Sequence, residues 1–172
     1  TKLYVNREEG FIGTSLRRHE YVCDCSDIDD IIVFTENCSM MVTKVDSKVF
    51  IGKNIVHVAV FKKKDLRTIY NMVYKDGDKG INFIKRFAVS GVTRDKLYKL
   101  SNSKKESYVK YFSANPNGEA EKITINLRSN SKLKKLKWDV DFSDVIIKGR
   151  ASRGNIITKN TIKNIELKEK GL

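Results

Sequence analysis

The chain consists of short segments in which apolar and polar residues alternate, separated by polar turns that often contain glycine. Alternation with a period of two residues is typical of strands, and the longer period of an amphipathic helix is almost absent. The predicted strands are EYVCDC, DDIIVFT, MMVTKV, NIVHVAVF, RTIYNMVY, NFIKRFAV, SYVKYFS, EKITINL, DVIIK and NIITKN. The pattern therefore predicts an all-β fold with strands of about five to eight residues.

One of these strands contains an unexpected pair of cations. The segment KGINFIKRFAVSG, residues 79–91, places Lys85 and Arg86 side by side in its middle. Because neighbouring residues of a strand point to opposite faces of the sheet, one of the two should point towards the buried face. Such a pair indicates a frayed edge strand unless the same arrangement recurs elsewhere in the chain.

The arrangement does recur, because hairpins of one type repeat along the chain. The predicted hairpins are DDIIVFTENCSMMVTKV, RTIYNMVYKDGDKGINFIKRF, YVKYFSANPNGEAEKITINL and DVIIKGRASRGNIITKN, and LYVNREEG resembles the second half of another. Their equivalent apolar positions are Val5, Val42, Ile84, Ile123 and Ile157, at spacings of 34 to 42 residues. Two positions further on stand Arg7, Lys44, Arg86 and Lys159, with Ile125 as the exception. Arg86 thus occupies the cation position that recurs along the chain, and Lys85 is an additional cation on the opposite face.

A period of this length, with about four strands in each unit, is typical of propeller-like arrays of blades. We expect one domain over residues 1–172, with repeats at roughly 1–20 (partial), 21–54, 55–100, 101–130 and 131–172. One cation at the same place in each blade would form a belt around the rim. A lysine on an edge strand also protects against edge-to-edge aggregation, which is the alternative interpretation of each single cation.

The charge of the chain narrows the class of partner. There are 34 Lys and Arg against 21 Asp and Glu, which gives a formal net charge of +13 spread along the whole sequence. Such an excess favours a polyanionic partner, with nucleic acid first and an anionic membrane second. No apolar run approaches the length of about 20 residues that spans a bilayer. The sequence has no secretory signal and begins like a piece of something longer.

Catalytic and metal-binding interpretations are weak. Cys23, Cys25 and Cys38 lack the spacing of a zinc site, and free thiols fit a reducing cytoplasm. Asp139 and Asp141 have the Asp-x-Asp spacing of some magnesium sites, but the α/β pattern that accompanies such sites is missing, so we expect both on a strand. The chain contains no phosphate-binding G-x-x-x-x-G-K-[ST] loop. We therefore expect no chemistry from this chain alone, no metal site and no cofactor.

The blade units resemble a known family. DDIIVFTENCSMMVTKV, IYNMVYKDG, IKRFAVSGVTRDKLYKL, YFSANPNGEAE and IKGRASRGNIITK are similar to the C-terminal domain of the A subunit of bacterial type IIA topoisomerases. Topoisomerase IV of Bacteroides-type bacteria is more similar than gyrase. The resemblance covers essentially the whole chain and implies a β-pinwheel of hairpin-exchanged, four-stranded blades whose rim binds and bends duplex DNA.

The same resemblance implies the context of the domain. The parent enzyme would be an ATP-dependent, magnesium-requiring type II topoisomerase in the cytoplasm, associated with the nucleoid. Its other partners would be a B subunit, in a heterotetramer, and the N-terminal cleavage domain of its own polypeptide. Gyrase A subunits carry a QRRGGKG-type box for DNA wrapping, whereas REEGFIGTSLRRHEYV keeps only Arg17 and Arg18 of it. This departure favours relaxation and decatenation over negative supercoiling, with a gyrase role as the alternative.

Binding to the DNA backbone requires cations at phosphate spacing and no base-reading helix. The candidates are the repeat cations, the cations between blades, and a pair flanked by glycines that would let the backbone approach a phosphate. These DNA-binding candidates are Arg17, Arg18, Lys44, Lys48, Lys53, Lys85, Arg86, Arg94, Lys96, Lys104, Lys105, Arg150, Arg153 and Lys159. Two alternatives remain open, a propeller-type module that binds an acidic protein and an RNA-binding β domain that stacks bases on exposed aromatic residues.

Overall fold

The computed structural model describes residues 1–171, so that Leu172, the end of the last predicted repeat, lies outside the described residues. The described chain is built from strands, with a single 3-10 turn at Phe142–Asp144 as its helical element. The predicted all-β class is therefore confirmed. Two compact units are present, one formed by Thr1–Asp65 with Ser90–Leu100 and the other by Leu66–Val89 with Ser101–Leu172.

The first unit contains two four-stranded antiparallel sheets. Its strands are β1 (Lys2–Asn6), β2 (Phe11–Gly13), β3 (Glu20–Asp24), β4 (Asp30–Thr35), β5 (Ser39–Lys44), β6 (Val49–Phe50), β7 (Ile55–Phe61) and, from the second segment of the unit, β10 (Tyr98–Lys99). The sheet orders are β3-β1-β2-β6 and β10-β5-β4-β7. Alternating residues of β1 and β4, among them Leu3, Val5, Ile31 and Val33, are buried together in one apolar cluster.

The second unit contains a five-stranded and a three-stranded sheet. Its strands are β8 (Ile69–Lys75), β9 (Asn82–Ala88), β11 (Tyr108–Asn115), β12 (Lys122–Leu127), β13 (Lys137–Asp141), β14 (Ile147–Gly149), β15 (Asn155–Thr158) and β16 (Ile162–Glu169). The larger sheet has the order β11-β8-β9-β14, with β15 also paired to β9, and the smaller has the order β13-β12-β16. All pairs are antiparallel except β14 with β9. Val73, Ile84, Ile123, Ile125 and Phe142 belong to its apolar core.

Two of the four predicted hairpins are confirmed. Strand β4 pairs with β5 through a short turn, and β8 pairs with β9 in the same way. In both hairpins the turn is short enough for the register of the two strands to be set locally. The strand predicted for Asp139 and Asp141 is also confirmed, because both residues lie on β13.

The other two predicted hairpins are wrong. Strand β11 pairs with β8 over its whole length, while β12 pairs with β13 and β16 in the other sheet. Strands β14 and β15 do not pair with each other, since both add to β9, one parallel and one antiparallel. Strands β11, β14 and β15 gain their hydrogen bonds from partners that are distant in sequence, and strand period does not specify that choice.

Candidate nucleic-acid interface

The turn at residues 102–107, which carries Lys104 and Lys105, is held in place by buried and acidic groups beneath it. The carboxylate of Asp78 accepts the backbone N–H of Lys105 at 2.9 Å and that of Lys104 at 3.0 Å. These hydrogen bonds hold the pKa of Asp78 below its ordinary value. The hydroxyl of Ser103 donates to the Lys105 carbonyl at 3.0 Å and contacts the hydroxyl of Ser107. The backbone is thus ordered while both lysine side chains are exposed.

The loop at residues 150–154 carries a second pair of candidate cations, Arg150 and Arg153. The guanidinium of the exposed Arg153 lies over the ring of Phe83, 4.9 Å from its centroid. The N–H of Gly154 donates to the hydroxyl of Tyr74 at 3.2 Å. Arg150 is half-buried. This loop connects β14 to β15, and both ends of it are therefore fastened to β9.

Glycine at position 154 has a role that the sequence pattern did not indicate. A Cβ atom there would lie 2.7 Å from the carbonyl oxygen of Ile84, closer than a Cβ approaches such an atom in proteins. A Cβ at Gly149 would meet only the Ser152 hydroxyl, at 3.8 Å, which is an ordinary contact. Gly154 therefore lets the loop approach the protein's own strand β9, independently of any approach to a phosphate.

The 102–107 turn and the 150–154 loop border the same cleft of the second unit. This cleft has a volume of about 200 Å³, and its walls include Asn102 and Ser103 of the turn and Arg153 of the loop. The exposed Lys79 also lines it. Asp76 and Asp78 also line the cleft, so its lining contains both acidic and basic side chains. The structure thus brings together candidate cations that are separated by about fifty positions in the sequence.

Lys85 does not lie on this surface. Its side chain is 1% exposed, and its ammonium donates to the carbonyl oxygens of Arg150 at 2.6 Å and of Ser152 at 3.0 Å. The rings of Phe87 and Tyr74 are 5.1 Å and 5.8 Å from the ammonium nitrogen. Both of these carbonyl groups belong to the 150–154 loop, so Lys85 contacts the interface from inside the protein.

Arg86 is also buried, with 6% of its surface exposed. Its Nε donates to the side-chain oxygen of Asn71 at 2.9 Å, and an Nη donates to the Gly118 carbonyl at 3.0 Å. Asn71 in turn donates to the carboxylate of Glu121, which also accepts from the hydroxyl of Tyr111 at 2.7 Å. Burial lowers the pKa of Arg86 below its ordinary value. This network is internal, and the repeat cation here connects β9 to the turn that follows β11.

Arg7, the repeat cation at the start of the chain, is partly exposed and contacts two other strands. It forms an ion pair with Glu20 at 2.8 Å and donates to the Val56 carbonyl at 2.9 Å. Its guanidinium lowers the pKa of Glu20. Lys44 and Lys159, the other two repeat cations, are exposed. The equivalent register positions are therefore not structurally equivalent, because two point to solvent and two contact neighbouring segments.

The remaining candidates of the first unit are exposed and differ in the contacts they make. Arg94 forms an ion pair with Asp30 at 2.7 Å. The ammonium of Lys48 lies 4.5 Å from the ring centroid of Phe11, and that of Lys96 lies 5.2 Å from that of Tyr98. The exposed candidates of this unit are Arg17, Arg18, Lys44, Lys48, Lys53, Arg94 and Lys96.

Residues with other chemistry do not assemble into a site in the described chain. Between residues 1 and 171 no group of three or more His, Cys, Asp or Glu side chains is arranged to hold a metal ion. Cys23, Cys25 and Cys38 are free thiols, and burial raises the pKa of the first two. Asp139 is engaged by Lys168 and Thr124, which lower its pKa. None of the helical segments described is long and apolar enough to cross a bilayer.

Sequence reasoning missed Asp78 and Lys79. A search for DNA contacts selects cations in loops, and an aspartate in the turn KDGDKG gives no such signal. The turn residues Asp, Gly and Lys predict only a tight connection between β8 and β9. The role of Asp78 becomes visible only when the 102–107 turn, which is distant in sequence, packs against it.

Comparison with known proteins assigns the chain to a family. Residues 2–170 match the family model of the topoisomerase C-terminal domain of Bacteroidota. The chain is also 29% identical over 168 residues to the A subunit of DNA topoisomerase 4 from Borreliella burgdorferi, a match that covers 97% of this chain and 25% of that protein. The chain thus spans about a quarter of the length of this relative. It belongs to the family of topoisomerase C-terminal domains of the Bacteroidota.

Proposed function

We propose that the chain is a non-catalytic domain that binds and bends duplex DNA for topoisomerase IV, as part of its A subunit. The observation that carries this proposal is the cleft lined by Lys79 and by Arg153 of the 150–154 loop, and bordered by the 102–107 turn that carries the exposed Lys104 and Lys105. Backbone N–H and carbonyl groups of both segments are already engaged inside the protein. Cations on an ordered backbone bind phosphates without the additional cost of ordering that backbone.

The proposed DNA contacts are the exposed candidates of both units together with one half-buried arginine. They are Arg17, Arg18, Lys44, Lys48, Lys53, Arg94, Lys96, Lys104, Lys105, Arg150, Arg153 and Lys159. Among them Arg94 must give up or share its ion pair with Asp30 to reach a phosphate. Lys85 and Arg86 are left out of the contact set, because their donor groups are directed at atoms inside the protein.

The chemistry of these contacts predicts binding without sequence readout. Lysine ammonium groups and exposed guanidinium groups neutralise phosphates and release counterions, which reads no base identity. Sequence preference would arise only from the ease with which a duplex bends. The described residues contain no α-helix that could enter a major groove.

The wider proposal concerns the parent enzyme. The relative from Borreliella burgdorferi is a topoisomerase 4 A subunit, and it extends well beyond the part that this chain matches. We place this chain in an ATP-dependent, magnesium-requiring enzyme of the bacterial cytoplasm, beside the nucleoid. There it would present the transported duplex to the cleavage domain of its own polypeptide, in a heterotetramer with a B subunit. We also propose a β-pinwheel of about four blades, and the presence of four sheets supports that number.

The test is duplex-DNA affinity measured by fluorescence anisotropy across a salt titration. A slope of about −4 or steeper in log affinity against log salt corresponds to at least four phosphate contacts. The variant Lys104→Glu/Lys105→Glu should bind more weakly with a shallower slope. Lys134→Glu/Lys135→Glu is the matched control, because it makes the same change of charge at two neighbouring exposed lysines of the second unit that lie outside the cleft residues.

The outcomes separate the candidate functions. Equal losses for both double variants would show that net charge alone governs binding and would contradict a local interface. A shallow slope of about −1 for the unmodified chain would contradict an interface of several phosphate contacts. Tighter binding to single-stranded RNA than to duplex DNA of equal charge would favour the RNA-binding alternative.

A further inference from the structure

Lys85 is a buried cation whose hydrogen bonds converge on one segment. Its ammonium donates to the carbonyl oxygens of Arg150 and Ser152, at 2.6 Å and 3.0 Å, inside a region lined by the rings of Phe87 and Tyr74. An ammonium that is 1% exposed is costly to bury unless acceptors replace its water. Here these two acceptors are backbone carbonyl groups of the 150–154 loop. The loop must therefore keep its conformation for the buried charge to stay hydrogen-bonded.

Two further hydrogen bonds of the loop backbone have neutral donors and acceptors. Its ends are the short strands β14 and β15, both attached to β9. Between them the Ser152 N–H donates to the Gly149 carbonyl at 3.0 Å, and the Gly154 N–H donates to Tyr74 at 3.2 Å. The contacts from Lys85 have a charged donor, and such a hydrogen bond is roughly twice as strong as a neutral one.

The buried ammonium of Lys85 also affects the positions of the cations of the 150–154 loop, Arg150 and Arg153. The carbonyl groups of Arg150 and Ser152 would otherwise accept from a guanidinium of the same loop. Lys85 occupies both from beneath, and its positive charge in a region of low dielectric disfavours a second cation there. Arg153 accordingly lies on the outer side, over the ring of Phe83 and in the wall of the cleft.

We propose that Lys85 is a positioning residue of the DNA interface, which holds the 150–154 loop from inside so that Arg150 and Arg153 face the phosphate backbone. This inference rests on the proposed DNA binding. Lys85 itself touches no DNA. The pair of cations in the middle of β9 then has two separate purposes, since Arg86 connects β9 to the turn after β11 and Lys85 connects it to the 150–154 loop.

The first measurement uses the unmodified protein. Hydrogen–deuterium exchange of the Ser152 and Gly154 amides in the absence of DNA reports whether the loop is ordered before binding. We expect exchange at least about tenfold slower than in an unstructured peptide, as for other hydrogen-bonded amides. Exchange at the rate of an unstructured peptide would overturn the proposal whether or not the protein binds DNA.

The second measurement is a double-mutant cycle on DNA affinity and its salt dependence. Lys85→Met removes the ammonium and keeps an unbranched side chain, whereas Arg150→Gln/Arg153→Gln removes the two proposed contacts. We expect each variant to reduce the steepness of log affinity against log salt, by up to about 2 where two contacts are lost. The triple variant should lose little further affinity or steepness, because both changes act on the same two contacts. Additive losses, or an unchanged slope for Lys85→Met, would overturn the proposal.

Two further variants distinguish positioning from general destabilisation. Lys85→Arg keeps a charged donor beneath the loop and should restore most of the affinity and slope that Lys85→Met loses. Ile125→Ala removes a fully buried apolar side chain from strand β12, in the other sheet of the unit, and should lower stability without changing the slope. If Ile125→Ala flattens the slope as much as Lys85→Met does, the effect is one of stability and the proposal fails.

The cycle also separates this inference from the proposed function. If the unmodified chain lacks a steep salt slope, the proposed function fails, and a comparison of loop-amide exchange between the unmodified chain and Lys85→Met still decides whether Lys85 orders the loop. If the Arg150→Gln/Arg153→Gln variant loses affinity while Lys85→Met does not, DNA binding stands and only the role of Lys85 is refuted.

Discussion

Asp78 accepts the backbone N–H of Lys105 at 2.9 Å, so an acidic side chain holds the turn that carries two of the proposed phosphate contacts. The same carboxylate accepts from the N–H of Lys104. On charge alone a carboxylate beside a DNA interface weakens binding, because it repels phosphate. The geometry indicates the opposite net effect here, since the carboxylate orders the backbone from which both lysines extend.

The first prediction concerns Asp78, whose negative charge and whose hydrogen bonds to the turn have opposite effects on DNA binding. Asp78→Ala should lower duplex-DNA affinity, by about threefold to tenfold, although it makes the protein more positive; the loss corresponds to ordering the freed turn on binding. The measurement is anisotropy at fixed salt. Asp144→Ala is the matched control, because Asp144 is an exposed carboxylate of the same unit and its removal should leave affinity equal or slightly higher. Tighter binding by Asp78→Ala would contradict the anchoring role.

The second prediction concerns Arg86. Arg86→Met removes the donor to Asn71 and to the Gly118 carbonyl, and leaves their oxygens without this partner in a buried setting. We expect the free energy of unfolding to fall by about 2–4 kcal/mol. Under conditions in which the variant is folded, the salt dependence of its DNA binding should be unchanged. Urea denaturation and anisotropy measure the two quantities.

Arg128→Met is the control for this prediction. Arg128 is exposed at the end of β12, and its replacement should change stability by no more than about 0.5 kcal/mol. A flattened salt slope with unchanged stability for Arg86→Met would show that Arg86 contacts DNA, as the repeat pattern alone had predicted.

The fold class was predictable from sequence because strand period is a local property. The alternation in β12 matches its alternating burial, and the hairpins β4–β5 and β8–β9 close through short turns. The pairing of β11 with β8, and of β14 and β15 with β9, was not predictable. These strands join partners that are tens of residues away, and alternation specifies which face is buried without specifying the neighbour.

The candidate site was likewise only partly predictable from the sequence. Loop cations such as Lys104 and Lys105 were correctly expected at exposed positions. For Lys85 and Arg86 the pattern predicted that one side chain faces the interior, whereas both are buried, because β9 lies inside its sheet and is covered on both faces. Their acceptors include carbonyl groups of segments 32 and 65 positions away, which no local pattern reveals.

The third prediction concerns the two glycines around the 150–154 loop. Gly154→Ala should cost about 1–3 kcal/mol of stability and weaken DNA binding, because its Cβ would lie 2.7 Å from the Ile84 carbonyl oxygen and displace the loop. Gly149→Ala should be nearly neutral in both respects, since its Cβ would lie 3.8 Å from the nearest atom. Thermal denaturation and anisotropy test the pair. Equal behaviour of the two variants would mean that close approach to β9 is not what orders the loop.

The last prediction is a pH dependence in the first unit. Burial, and then the positive charge of Arg7, lower the pKa of His57 from 6.5 to about 4. The folded state therefore keeps the imidazole neutral over a range in which the unfolded chain takes up a proton. Protonation then favours the unfolded chain, so this contribution to stability is complete above about pH 6.5 and is lost as the pH falls towards 4.

At pH 5 the loss amounts to at most about 2 kcal/mol relative to pH 7, and partial exposure of the ring reduces it. Urea denaturation at both pH values should show a larger decrease for the unmodified chain than for His57→Gln, which cannot titrate. Because carboxylates such as Glu20 contribute equally to both proteins, the difference between them isolates His57. Identical decreases would mean that His57 is protonated as easily in the folded protein as in the unfolded chain, which is incompatible with a buried neutral imidazole beside Arg7.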